Sequence, residues 1–159
     1  MNTEIERKFL VLNQSWKTTA RPVQCRQGYI STEPAQTVRI RTVGAEGFLT
    51  IKGISTGAAR AEFEYPLPYE DAQYLLNHLC LKPLIEKTRW HYDYKGHLWE
   101  IDEFSGENEG LIVAEIELTS EAEIFERPDW LGKEVTGDPR YYNASLVIKP
   151  YKKWAHYSD

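Results

Sequence analysis

Residues 3–12 read Thr3-Glu4-Ile5-Glu6-Arg7-Lys8-Phe9-Leu10-Val11-Leu12, and the alternation in Glu4-Ile5-Glu6-Arg7-Lys8 governs the reading of the whole chain. Side chains of a strand point alternately to opposite faces, so positions i and i+2 share a side. Glu4, Glu6 and Lys8 therefore lie together on one face of a strand. Two carboxylates and an ammonium on one face, at the start of a strand, suit either a solvated sheet edge or a charged interior.

The same grammar recurs further along. Arg39 and Arg41 share a face, with Val38 and Ile40 on the other. Lys52 lies opposite Leu49 and Ile51, and Glu62 and Glu64 oppose Phe63 and Tyr65. Lys87 and Arg89 form another pair. Glu100 and Asp102 oppose Trp99 and Ile101, and Glu115 and Glu117 oppose Ala114, Ile116 and Leu118. An ordinary exposed sheet face is the competing explanation for any one of these strands. Exposed faces use Thr, Ser and Gln freely, however, and here the face is Glu, Asp, Arg and Lys almost throughout.

Periodicity and turn signals divide the chain as follows. Strands are expected at 3–12, 24–32, 36–43, 47–53, 60–67, 83–94, 97–104 and 111–119. Residues 13–22 read as a loop. Gly44-Ala45-Glu46-Gly47, Lys95-Gly96 and Gly106 to Gly110 supply turns. Residues 70–79 fit a helix, with Ala72, Leu75, Leu76 and Leu79 at helical spacing and acidic residues in the first turn. Further short helices are expected at 120–126 and near 141–149, the last ended by Pro150 and with Asn143 read as a helix cap. The fold class is α+β, mainly β. Eight antiparallel strands in hairpin order tend to close into a barrel, which removes exposed edges. A few short helices would cover it, and the tryptophans and tyrosines would pack against the outer faces.

The bulk numbers set limits. At 159 residues with 42% hydrophobic content, the chain reads as a single folded domain over 1–159. A net charge of −5 argues against nucleic acid as the main partner. Cys25 and Cys80 have no metal-type spacing and read as reduced cysteines of a cytoplasmic protein. His78, His91, His97 and His156 are scattered, so a zinc site is not expected. Neither a signal peptide nor a membrane-spanning run is visible.

A barrel closed with its charged face inward would crowd carboxylates together, and confined like charges repel unless something positive intervenes. Interleaved Arg and Lys meet part of that need. Divalent cations meet the rest, because carboxylates are hard oxygen ligands suited to Mg2+, Mn2+ or Ca2+. The basic residues in turn need an anion, and a polyphosphate uses both kinds of group.

These residues resemble the CYTH superfamily, the triphosphate tunnel metalloenzymes, and look most like its small bacterial inorganic tripolyphosphatases. Glu4-Ile5-Glu6-Arg7-Lys8 matches the family's ExExK signature. The resemblance continues through Arg26-Gln27-Gly28-Tyr29, Val38-Arg39-Ile40-Arg41, Leu49-Thr50-Ile51-Lys52-Gly53, Glu62-Phe63-Glu64-Tyr65, Glu86-Lys87-Thr88-Arg89, Trp99-Glu100-Ile101-Asp102, Ala114-Glu115-Ile116-Glu117 and Gly132-Lys133-Glu134-Val135-Thr136. It implies an eight-stranded tunnel with a charged interior. It also implies metal held by Glu4, Glu6, Glu62, Glu64, Asp102, Glu115 and Glu117, and phosphate gripped by Lys8, Arg39, Arg41, Lys52, Lys87, Arg89 and Lys133. Glu62, Glu64 and Glu100 either bind a second metal or orient the basic residues. Lys8, Lys52 and Tyr29 are the catalytic candidates, Tyr29 with a core-packing role as its alternative. The implied reaction is hydrolysis of inorganic tripolyphosphate to pyrophosphate and phosphate with Mg2+ or Mn2+, two ions when substrate is bound. Adenylate cyclisation, thiamine or nucleoside triphosphate hydrolysis, and non-catalytic polyphosphate binding are the alternatives. A small-molecule triphosphate is the expected partner, without nucleic acid or membrane, and a homodimer is left open.

Overall fold

The computed structural model describes residues 3–154. His156 and the last residues of the expected 1–159 domain lie outside them. Nine strands follow in chain order: β1 Thr3–Val11, β2 Arg21–Ser31, β3 Thr37–Val43, β4 Glu46–Lys52, β5 Ala59–Leu67, β6 Ile85–Tyr94, β7 His97–Phe104, β8 Ile112–Glu117 and β9 Leu131–Glu134. Two α-helices join them, α1 Tyr69–His78 and α2 Asn143–Ile148. No helix among the described residues is long and apolar enough to cross a membrane.

The sheet order is β5-β4-β3-β2-β6-β7-β8-β1-β9, and β5 also pairs with β1. That pairing closes the expected eight-stranded antiparallel barrel. The closing seam is short: Thr3, Glu4 and Ile5 face Ala61, Arg60 and Ala59. Further along β1, Phe9 and Val11 pair with Glu134 and Leu131 of β9 on the same edge. One edge of β1 thus passes from β5 to β9, and the other is held by β8, where Glu6 faces Glu117 and Lys8 faces Glu115.

Packing follows the alternation. The outer faces of β1, β7 and β8 bury Phe9, Trp99, Ile101, Ala114 and Ile116 under Trp16 and Trp130. Helix α1 sets Ala72 and Leu76 against Ile40. A third cluster joins Tyr29, Ile85, Phe104, Leu111 and Val113 to Tyr141, Leu146, Val147 and Trp154. Ile85 and Val113 have the parity of the tunnel-facing charges on their strands, and Tyr29 faces Arg39 across the β2–β3 pair. The interior face is therefore charged over most of its length and apolar at one end, where the C-terminal segment packs. The expectation that α1 and the C-terminal helix both cover outer faces holds for α1. Helix α2 instead packs against that interior end.

Four other readings are corrected. The loop at 13–22 contains a 3-10 turn, Ser15–Thr18, and ends where β2 begins at Arg21. No helix forms at 120–126: Thr119 donates through its N–H and its hydroxyl to Glu123 Oε1 at 2.6 and 2.7 Å. That carboxylate-capped turn is followed by extended chain, which lets Phe125 reach Phe9 and Trp99. The ninth strand was not expected, since it has only four residues and pairs with a strand more than a hundred residues away. Finally, the helix near 141–149 is confined to Asn143–Ile148, its cap position is Tyr142, and the Asn143 side chain accepts from Lys87 Nζ at 3.2 Å.

Candidate active site

Two adjoining chambers occupy the barrel, each about 300 Å3 in volume. They share Glu6, Arg39, Lys52, Arg89 and Glu115, so they are two halves of one tunnel. The first is lined by six basic residues, Lys8, Arg39, Lys52, Arg60, Lys87 and Arg89, against the carboxylates of Glu6 and Glu115. The second reverses the balance, with seven carboxylates, Glu4, Glu6, Glu62, Glu64, Glu100, Glu115 and Glu117, against Arg39, Arg41, Lys52 and Arg89. The tunnel is electrically polarised along its axis: one half attracts an anion and the other attracts cations.

Pairing inside the tunnel follows strand register. Lys52 faces Glu62 across the β4–β5 pair, while its Nζ donates at 2.9 Å to Glu4 Oε1 on β1, the strand on the other side of β5. Lys8 Nζ stands 3.9 Å from Glu6 and 3.8 Å from Glu115, with the Tyr142 ring 5.3 Å away. Arg39 and Arg41 both reach Glu64 Oε1, at 3.5 and 3.1 Å, and Thr50 donates to the same oxygen. The Nε atoms of Arg39 and Arg41 are buried and have no protein acceptor among the described residues. Buried donors of that kind normally have a partner. A tetrahedral oxyanion is the partner a guanidinium fork fits.

Asp102 behaves differently from the other carboxylates. It is 1% exposed, and it accepts from Lys87 Nζ at 2.7 Å, Arg89 Nε at 2.8 Å and Arg89 Nη2 at 3.0 Å. Burial alone would raise its pKa; Arg89 and Lys87 overturn that and hold the carboxyl far below the usual range. It lines neither chamber. Its surroundings are those of an ionic anchor that orients Lys87 and Arg89. Glu64 has the same character, held down by Arg41 and by the Thr50 hydroxyl against the opposing effect of burial. Glu100 meets Arg89 at 3.3 Å and His91 at 3.4 Å.

Glu4, Glu115 and Glu117 are pushed the other way. Burial raises all three, and neighbouring carboxylates add to it: Glu62 beside Glu4, Glu6 beside Glu115, and Glu4 and Glu100 beside Glu117. A crowded set of hard oxygen donors with uncompensated repulsion fits a divalent cation such as Mg2+ or Mn2+. Among the described residues no three such side chains already converge at ligand spacing. Lys52 lies against Glu4, and Lys8 lies close to Glu6 and Glu115. The fit is therefore one of donor chemistry and charge, with the lysines holding the carboxylates apart.

Tyr29 is 3% exposed, lines the basic chamber and accepts from Gln27 Nε2 at 3.2 Å. Burial raises its phenol pKa in spite of Arg39 and Lys8, so it is protonated at neutral pH and a poor base. It is also part of the apolar end of the interior. Lys133 is exposed on β9 and lines neither chamber, so it is the one expected phosphate ligand that lies apart from the others. Three contributors were not foreseen. Arg60 lines the basic chamber, Thr50 is wholly buried between Arg39 and Glu64, and Asn143 accepts from Lys87. Arg60 shares parity with Glu62 and Glu64, a signal present in the sequence.

A closed antiparallel barrel whose interior sets a basic chamber against a carboxylate chamber defines a tunnel for polyanions accompanied by cations. The chain belongs to the CYTH family, whose domain description matches residues 2–151. It is 51% identical over 154 residues to an inorganic triphosphatase of Acetivibrio thermocellus, covering 97% of this chain and 99% of that one. It is 37% identical over 151 residues to an inorganic triphosphatase of Nitrosomonas europaea, covering 92% and 97%. A crystal structure of an inorganic triphosphatase superposes with a TM-score of 0.66 at 33% identity, covering 91% of this chain and 97% of that one.

Proposed function

We propose that this protein hydrolyses inorganic tripolyphosphate to pyrophosphate and phosphate, with Mg2+ or Mn2+ as its metal. The observation that carries this reading is the polarised tunnel: a basic chamber continuous with a carboxylate chamber, sharing Glu6, Arg39, Lys52, Arg89 and Glu115. The relatives named inorganic triphosphatase support it, since they align over nearly the whole chain.

Phosphoryl transfer requires mainly positioning and neutralisation of charge. Lys52 and Arg39 line both chambers, and Lys8 lies close to the shared carboxylates Glu6 and Glu115; these three would hold the oxygens of the transferred phosphoryl group. Arg89 and Lys87, fixed by Asp102, would grip the remaining phosphates. Glu4, Glu6, Glu115 and Glu117 would hold the metal, two ions with substrate bound, while Glu62 borders them. Bound divalent ions neutralise phosphate oxygens and acidify water. A carboxylate that remains free would orient a water for attack on the terminal phosphorus and accept its proton, the bridging P–O bond breaking as pyrophosphate leaves. Within the barrel these charges act in a lower effective dielectric than in bulk water.

The test is product analysis. With Mg2+ or Mn2+, purified protein should release one orthophosphate and one pyrophosphate per tripolyphosphate, and a chelator should stop it. Formation of cyclic AMP from ATP without phosphate release from tripolyphosphate would overturn the proposal.

A further inference from the structure

Six of the seven tunnel cations are already within 4.0 Å of a carboxylate. Lys8 meets Glu6 and Glu115, Arg39 and Arg41 meet Glu64, Lys52 meets Glu4, and Lys87 and Arg89 meet Asp102. The seventh, Arg60, makes no ion pair among the described residues. Its guanidinium is held by neutral acceptors alone: Nε donates to the Gly53 carbonyl at 3.1 Å, and Nη2 approaches Thr37 Oγ1 at 3.4 Å.

Its position is equally distinct. Arg60 sits on β5 at the barrel seam, opposite Glu4 of β1. It lines the basic chamber and a small side pocket that continues it past Ser55, Gly57 and Thr136, but not the carboxylate chamber. Arg39, Lys52 and Arg89 border both halves and must balance anion against carboxylate. A phosphate engaging Lys52 or Arg89 competes with the carboxylate that each already contacts. A phosphate engaging Arg60 competes with none, and it gains a charge-assisted contact that is stronger than a neutral one.

Resting on the triphosphatase reading above, we infer that Arg60 is a binding residue for the phosphate of the substrate that lies farthest from the carboxylate chamber. Its charge secures the triphosphate at the basic end, and the reacting phosphorus is thereby placed toward the carboxylates. Arg60 contributes to capture of the ground state and not to the charge that develops at the reacting bond, so its loss shows in KM more than in kcat.

The experiment compares Arg60→Ala, Arg60→Gln and Arg60→Lys with wild type. Loss of the charge in the Ala and Gln variants should raise KM for tripolyphosphate about tenfold or more and change kcat by about twofold at most. Arg60→Lys should recover much of the affinity. Calorimetry with tripolyphosphate in the presence of a chelator gives the same comparison without turnover, so it stands even if the protein proves not to hydrolyse this compound. Arg60→Gln retains a donor for the Gly53 carbonyl and keeps the test open if Arg60→Ala does not fold. Wild-type KM and affinity in Arg60→Gln would overturn the inference. So would equal losses in Arg60→Lys and Arg60→Gln, which would show that the effect does not follow the charge.

Discussion

At the scale of single residues, alternation decides which side chains enter the tunnel, but it does not decide what each one meets there. Asp102 shows the difference. It has the same parity as Glu100, and resemblance places it among the metal-holding carboxylates, yet both its oxygens are taken by Lys87 and Arg89. Depth along the tunnel axis separates it from Glu4 and Glu117, and depth depends on register between strands distant in sequence. Removing one partner of a buried ion pair leaves uncompensated charge, so Asp102→Asn should destabilise the protein by about 3–5 kcal/mol in denaturant unfolding. The carboxylates also set a pH dependence. The depressed pKa of Asp102 gives stability that is present above its ordinary value of 3.8 and is lost as pH falls below it. The raised groups Glu4, Glu115 and Glu117 oppose folding at neutral pH and cease to do so as they protonate above their ordinary 4.5. The metal-free protein should therefore melt at a higher temperature near about pH 5 than near about pH 7, and at a lower one again below about pH 4. Scanning calorimetry across that range checks it; a melting temperature that only falls with acidification would contradict the assigned directions.

At the scale of elements, the hairpins were legible because glycine-bearing turns and alternating runs are local signals. The elements that escaped were set by distant partners. β9 exists because Lys8 supplies two anchors: its carbonyl accepts from Val135 N at 2.8 Å, and its N–H donates to Thr136 Oγ1 at 2.9 Å. Arg7 adds a two-pronged contact with Glu134 at 2.6 and 2.8 Å. None of this has a period that a window of sequence displays. The turn at Thr119 replaced a helix for a related reason, because Glu123 closes back on Thr119 and His97 instead of continuing a helical turn. Packing between elements gives a sharper test at Gly28. A Cβ there would stand 2.7 Å from Leu84 Cδ2 and 2.8 Å from Cys80 Cβ, where the chain after α1 crosses β2. Gly28→Ala should cost about 1–3 kcal/mol through overpacking. The denaturant midpoint should fall with an unchanged slope, and an unchanged midpoint would show that the crossing is looser than described.

At the scale of the whole molecule, the barrel turns a pattern of single strands into a site. Closure needs only a three-residue seam between β1 and β5, and β9 supports the rest of that β1 edge. Once closed, carboxylates from β1, β5, β7 and β8 face arginines and lysines from β3, β4 and β6 across the same tunnel. Neither half makes a site alone: the basic chamber lacks Glu4 and Glu117, and the carboxylate chamber lacks Lys8, Arg60 and Lys87. Tripolyphosphate is proposed to be cleaved within this interior. Metal-supported phosphate release by Glu4→Gln and Arg39→Ala, beside wild type, tests it most directly. Both variants should fold, with kcat/KM lower by at least about tenfold for Glu4→Gln and about a hundredfold for Arg39→Ala. Full wild-type activity in both folded variants would contradict it and place the chemistry outside the tunnel.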